Sequence, residues 1–100
     1  MRKVKTSQAY QEGLRLRLQN PDYAAEYLQA AMEDGEPSVY LLALRDIAEA
    51  LGMNEIAAAA GIPRESLYRA LSPKGNPRWS TLSAILRATG IKLEAARAAA

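Results

Sequence analysis

Apolar residues recur every three to four positions along most of this chain, the period of one buried helical face. Tyr10, Leu14 and Leu18 are each four apart. Ala24, Tyr27, Leu28 and Ala31 form the next stripe, and Tyr40, Leu44, Ile47 and Leu51 the third, widened by Leu41 and Ala48. Leu82, Ile85, Leu86 and Thr89 make the last. Stop and start signals punctuate these stripes. Asn20-Pro21-Asp22 reads as an N-cap, a first-turn proline and an acid near the positive end of a helix dipole. Gly35, Gly52 and Gly90 fall just past the ends of stripes, where a left-handed residue closes a helix. Gly13 weakens the first helix by up to ~1 kcal/mol relative to alanine. The pattern predicts an all-α, compact six-helix domain, with helices near 7–19, 21–34, 37–51, 53–60, 63–71 and 79–89.

The third helix is the most apolar and is expected to be the central strut, with Arg45, Asp46 and Glu49 outside. The predicted core holds Leu28, Leu44, Ile47, Leu51, Ile56, Leu67, Leu82, Ile85 and Leu86. Trp79, the only tryptophan, is expected to plug the core where the last helix begins, and Asn54 is a candidate cap for the fourth helix. Residues 1–6 form a basic tail, either frayed or an arm touching DNA or a partner. Residues 7–93 form one helical domain, divided into 7–52 and 53–93. After Gly90, Ile91 and Leu93 can pack back. The alanine-rich tail, 94–100, is expected to be frayed or weakly helical.

Composition narrows the chemistry. Phe, Cys and His are absent and Val is scarce. This favours helices over sheets and removes disulfides, thiolate metal sites and the usual zinc ligand and general base. No run of apolar residues is long enough to span a bilayer, and the basic N-terminus lacks the apolar stretch of a signal peptide. A cytoplasmic protein that uses no metal, cofactor or membrane is the expectation. Charge is uneven: residues 1–52 carry six Lys/Arg against eight Asp/Glu, and residues 53–100 carry seven against three. A basic C-terminal half suits phosphate neutralisation.

The stretch Met53–Leu71, MNEIAAAAGIPRESLYRAL, reads as two short helices joined by a tight turn. Ala57 is small enough for close helix crossing, Gly61 tolerates φ > 0, and Pro63 ends one helix and suits the start of the next. Leu67, Ala70 and Leu71 share the inner face of the second helix. Arg64, Glu65, Tyr68 and Arg69 share the outer face. The spacing of Ala57, Gly61, Ile62 and Leu67 resembles the helix-turn-helix of the Cro/repressor (Xre-type) family, whose second helix enters the DNA major groove. A generic helical hairpin is the other reading of these two helices.

Over residues 7–93 the chain resembles the addiction-module antidote proteins, a branch of those regulators. The resemblance rests on the run NPDYAAEYLQAAMEDGEPSVYLLALRDIAEALGM and, most specifically, on SLYRALSPKGNPRWSTL. It implies the antitoxin of a type II toxin–antitoxin pair. Such a protein blocks a small RelE/ParE-like toxin, in many pairs a ribosome-dependent mRNA endonuclease. It also binds double-stranded operator DNA, usually as a homodimer, and represses both genes.

In that setting Arg64 and Arg69 are candidates for bidentate contacts to guanine, and Glu65, Ser66 and Tyr68 for further base contacts. Asn54, Lys74, Asn76 and Arg78 are candidates for phosphate contacts that set register. Plainer readings stand beside these: Glu65 as a favourable charge near a helix start, Tyr68 as packing, and Lys74, Asn76 and Arg78 as a solvated loop. The acidic cluster Asp22, Glu26, Glu33, Asp34 and Glu36 makes the N-terminal half the candidate toxin surface. Its plainer reading is that these helices only finish the core. An enzyme is not expected, since no nucleophile–base pair, Walker loop or metal cluster is present. The rivals are a stand-alone regulator without a toxin and a toxin-binding module without DNA binding.

Overall fold

The computed structural model describes residues 2–99, with side chains from residue 8 onward. Six helices follow one another: α1 (Arg2–Leu18), α2 (Pro21–Asp34), α3 (Pro37–Leu51), α4 (Met53–Ala60), α5 (Arg64–Ala70) and α6 (Trp79–Thr89). The described residues contain no strand. The all-α expectation and the boundaries of α2 to α6 hold to within a residue. α1 begins at Arg2, ahead of the expected start near residue 7. The contact role considered for the basic tail concerns side chains outside the described residues.

α3 is the centre, packed against α1, α2, α4 and α6. Its Leu41, Leu44, Ile47 and Ala48 are buried, with no more than 2% of any of them exposed. α1 and α2 lie on it through Leu14, Leu18, Ala24 and Leu28, all of them core residues. On the other side α4 packs against α6 and α5, joining Ile56 and Ala57 to Leu67, Leu71, Ile85 and Leu86. A polar bond adds to the α2–α3 contact. The Tyr27 hydroxyl donates to Asp46 Oδ2 at 2.7 Å. Burial raises the Asp46 carboxyl above its usual range, although the bond from Tyr27 works the other way. Burial and that same bond raise the Tyr27 phenol well above its ordinary value. Asn20 caps α2 as expected, its Oδ1 accepting from the Asp22 and Tyr23 amides at 2.9 and 3.3 Å.

The expectations for Asn54, Leu51, Trp79 and Leu82 need correction. Asn54 does not cap α4; Gly52 closes α3 and opens α4, and Asn54 lies exposed inside the first turn. Leu51 and Trp79 are exposed, by 37% and 64%. Both are at the right angle about their helix axes to face the core. Leu51, however, is the last residue of α3 and Trp79 the first of α6, beyond the height at which neighbouring helices cover that face. Leu82 is only half-buried for a related reason, one turn inside the same end of α6. Residues 91–99 are not helical, and Ile91 and Leu93 pack back as expected, each half-buried. A segment this short that buries little on folding does not repay helix nucleation.

The burial pattern sets the expected mutational response. Leu44→Ala and Leu67→Ala should each cost ~2–5 kcal/mol in denaturant unfolding. Trp79→Ala, despite the larger residue lost, should cost under ~1 kcal/mol in the monomer, as an exposed position does. Equal losses at Trp79 and Leu67 would contradict this packing.

Candidate nucleic-acid interface

The α4–α5 unit is built by local bonding. At the end of α4 the Gly61 amide donates to the Ala58 carbonyl at 3.2 Å and the Ile62 amide to the Ala57 carbonyl at 3.0 Å. This is the Schellman closure. It requires a left-handed residue, and Gly61 has φ 73°. Ile62 turns back toward the core and Pro63, extended at φ −62° and ψ 151°, starts α5. With Leu67 and Leu71 fully buried, α5 is pinned by its inner face and presents Arg64, Glu65 and Arg69 outward.

The outer face is more divided than the sequence spacing implied. Five residues along a helix is about 140° around the axis, so Arg64 and Arg69 stand on opposite flanks with Glu65 between them. Each flank borders its own depression. One is lined by Arg64 and Tyr68 with Asn54, Glu55, Arg15 and Glu49. The other is lined by Ser66, Arg69, Lys74, Asn76 and Thr81. The structure therefore brings Asn54 to Arg64, and Lys74 and Asn76 to Arg69. Arg78 is exposed but borders neither depression.

Tyr68 is half-buried between two cations. Arg45 of α3 and Arg64 of its own helix each place a guanidinium carbon 5.4 Å from the ring centroid, within cation–π range. Arg64 Nη2 also donates to the Tyr68 hydroxyl at 3.3 Å, which raises the Arg64 pKa. Arg45 is itself paired with Glu49 at 3.4 Å. Tyr68 thus packs against a neighbouring helix, as its plainer reading had it, and orients Arg64. Arg45 and Arg15 were not singled out in the sequence. Periodicity marks them as exposed helical residues, but their approach to α5 is a tertiary matter.

The loop after α5 is seated by close backbone contact. Ser72 Oγ donates to the Arg69 carbonyl at 3.0 Å, and the Gly75 amide to the Ser72 carbonyl at 2.8 Å. A Cβ on Gly75 would collide with the Ala70 carbonyl oxygen and lie 2.9 Å from that of Arg69. Only glycine lets the loop close here and carry Lys74 and Asn76 beside Arg69.

Residues 12–97 match the family model described as "probable addiction module antidote protein". The chain belongs to this family. An uncharacterized protein of Haemophilus influenzae is 40% identical over 68 residues, covering 68% of this chain and 70% of that one. No solved structure matches the chain. Membership in the antidote family carries an antitoxin role, with a toxin as partner and no catalytic task. Among the described residues no helix is long and apolar enough to cross a membrane.

The seating of the loop is directly testable. Gly75→Ala should shift amide resonances of residues 69–78 and lower the thermal midpoint, while leaving the α1–α3 resonances in place. An unperturbed loop would show that the backbone contact is not what positions Lys74 and Asn76.

Proposed function

We propose that this antitoxin is a cytoplasmic homodimer that reads operator DNA with a helix-turn-helix formed by α4 and α5, autorepresses its operon, and neutralises a small RelE/ParE-like toxin. The observation that carries the DNA-binding part is the ring of exposed basic and polar groups around α5: Arg64 on one flank, Arg69, Lys74 and Asn76 on the other, and Arg78 beyond the loop. The basic balance of residues 53–100 supports it. In a major groove, Arg64 and Arg69 would reach different base pairs, since they lie about 140° apart with ~7.5 Å of rise between them. Glu65, between them, would accept from cytosine or hold an arginine. Ser66, half-buried, lies on the Arg69 flank, where its reach is to a backbone phosphate. Asn54, Lys74, Asn76 and Arg78 would hold phosphates. One short helix reads few base pairs, so two copies about one DNA turn apart, ~34 Å, supply a full operator. Family membership favours the antitoxin over a stand-alone regulator.

The toxin surface we assign to the N-terminal half. Asp22, Glu26, Glu33, Asp34 and Glu36 are all exposed, and a toxin that contacts RNA is expected to be basic. The plainer reading, that α1 and α2 complete the core, is also true of their inner faces: Leu14, Leu18, Ala24 and Leu28 are buried. The outer acids are left over for a partner. Truncating these helices would destroy the core, so the surface is tested by charge alone.

Two results are expected. In titrations against the DNA upstream of this gene and a scrambled duplex, at several salt concentrations, Arg64→Ala or Arg69→Ala should lose ~1–3 kcal/mol of discrimination. Lys74→Ala or Arg78→Ala should weaken both duplexes alike and lower the salt slope by about one unit each. An unchanged operator-to-scrambled ratio in both arginine variants would remove α5 as the reader and leave a protein-interaction module.

The second result concerns the toxin, which on this reading is a small basic protein encoded beside this gene. Asp34→Lys with Glu36→Lys should slow its association and flatten the salt dependence of the rate, as loss of complementary rim charge does, without affecting DNA binding. An unaltered association rate would place the toxin elsewhere.

A further inference from the structure

α6 ends as α4 does. The Gly90 amide donates to the Arg87 carbonyl at 3.1 Å and the Ile91 amide to the Leu86 carbonyl at 3.3 Å, the same Schellman closure. It sends Ile91 back toward the body and sets the register of the C-terminal segment. Ile91 is half-buried, Lys92 exposed, Leu93 half-buried and Glu94 exposed. Over these four residues the alternation has the period of two of a half-covered extended segment; Ala95 and Ala96 beyond it are exposed. Yet among the described residues no backbone group from Lys92 to Ala99 bonds to another backbone group. The backbone groups of this non-helical segment are therefore open to pairing with another chain.

The surface beside it is apolar and uncovered. The segment runs along a groove of about 890 Å³, closed on its far side by α2, with Leu28, Met32, Leu93 and Trp79 in its walls. Trp79 and Met32 are among the large apolar residues left exposed. A tryptophan at the edge of an open groove is a common anchor of protein interfaces.

We propose that residues 91–95 pair antiparallel with the same residues of a second copy of this chain, across a two-fold axis at Leu93. The charges select the occupant. In this register Lys92 lies opposite Glu94 of the second copy, and Glu94 opposite its Lys92, both pairs on the solvent face. Ile91 lies opposite Ala95 and Leu93 opposite itself, on the face toward the body. Neighbouring registers fail. A shift that centres the pairing on Lys92 or Glu94 sets like charges against each other, and a half-step either way sets Leu93 opposite a charged residue. The segment is thus self-complementary in one register, the requirement of an isologous contact. Residues Ile91 and Leu93 of the second copy then enter the groove and cover Met32 and Trp79. The inference rests on the homodimer proposed above and assigns its surface.

The chain has no cysteine and one tryptophan, which makes the test direct. By sedimentation equilibrium on the full chain, Lys92→Glu and Glu94→Lys should each weaken dimerisation roughly tenfold or more, because both pairs of the two-fold contact turn repulsive. The double swap should recover it. An equimolar mixture of the two single variants should associate as well as the unaltered protein, since each supplies what the other lacks. Both positions are exposed, so folding is not at stake. Trp79 emission should shift to the red on dilution and in either single variant. Leu93→Cys should cross-link to a dimer on oxidation, whereas Ala58→Cys, exposed on α4, should not. A dimer that ignores both charge swaps and does not cross-link through position 93 overturns the strand pairing while leaving the homodimer standing. A chain that stays monomeric overturns both. Charge swaps that weaken toxin binding but not self-association would give this edge to the toxin and also overturn the proposal.

Discussion

The burial of one helix orders this molecule. α3 carries apolar residues around most of its circumference, and Leu41, Leu44, Ile47 and Ala48 lose nearly all their exposure. Its neighbours lie on different sides of it: α1 and α2 on one, α4 and α6 on the other. Each neighbour is too short or too amphipathic to stand alone, since isolated helices of these lengths are marginal in water. Their stability is borrowed from the shared core, so the placement of α5, which touches chiefly α4, depends at one remove on α3. The contact between Arg45 of α3 and Tyr68 of α5 is a second, polar link along the same route.

That arrangement separates tasks by surface. The inner faces of α1 and α2 complete the core, and their acidic outer faces remain available. α5 presents Arg64 on one flank, beside Glu49 and Glu55, and Arg69 with Lys74 on the other. The C-terminal segment lies between α2 and α6 with an unbonded edge. An antidote protein has to hold a toxin and, on the function proposed above, a second copy and a DNA duplex. The three surfaces differ in charge character (acidic, self-complementary and basic), and the first two adjoin, since Glu26 and Glu33 line the groove beside residues 91–96.

The division of Arg64 and Arg69 bears on the DNA recognition proposed above. Arg64 is held on the Tyr68 ring, whereas Arg69 is exposed beside the loop that Gly75 seats. An arginine already restrained loses less freedom on forming a bidentate contact. Tyr68 contributes to that restraint from its position against Arg45, so its value to the site lies in orienting a neighbour.

Much of this was legible in the chain itself. Period, caps and breakers gave six helices, the Asn20 cap, the glycine closures and most of the core, because these depend on residues a turn apart. Candidate polar residues around α5 could also be named, since exposure on a short amphipathic helix follows from its inner stripe. What the sequence did not contain was height and pairing. Leu51 and Trp79 have the angle of core residues, but they lie at helix ends where no neighbour reaches. Periodicity reports angle about an axis and is silent on how far a partner helix extends along it. The same limit hid the approach of Arg45 to Tyr68 and the depressions that form on either flank of α5. It also hid the groove that forms where the segment after Gly90 lies beside α2. Local propensity chose the elements; which surfaces they cover, and which they leave for a partner, was decided only when they packed.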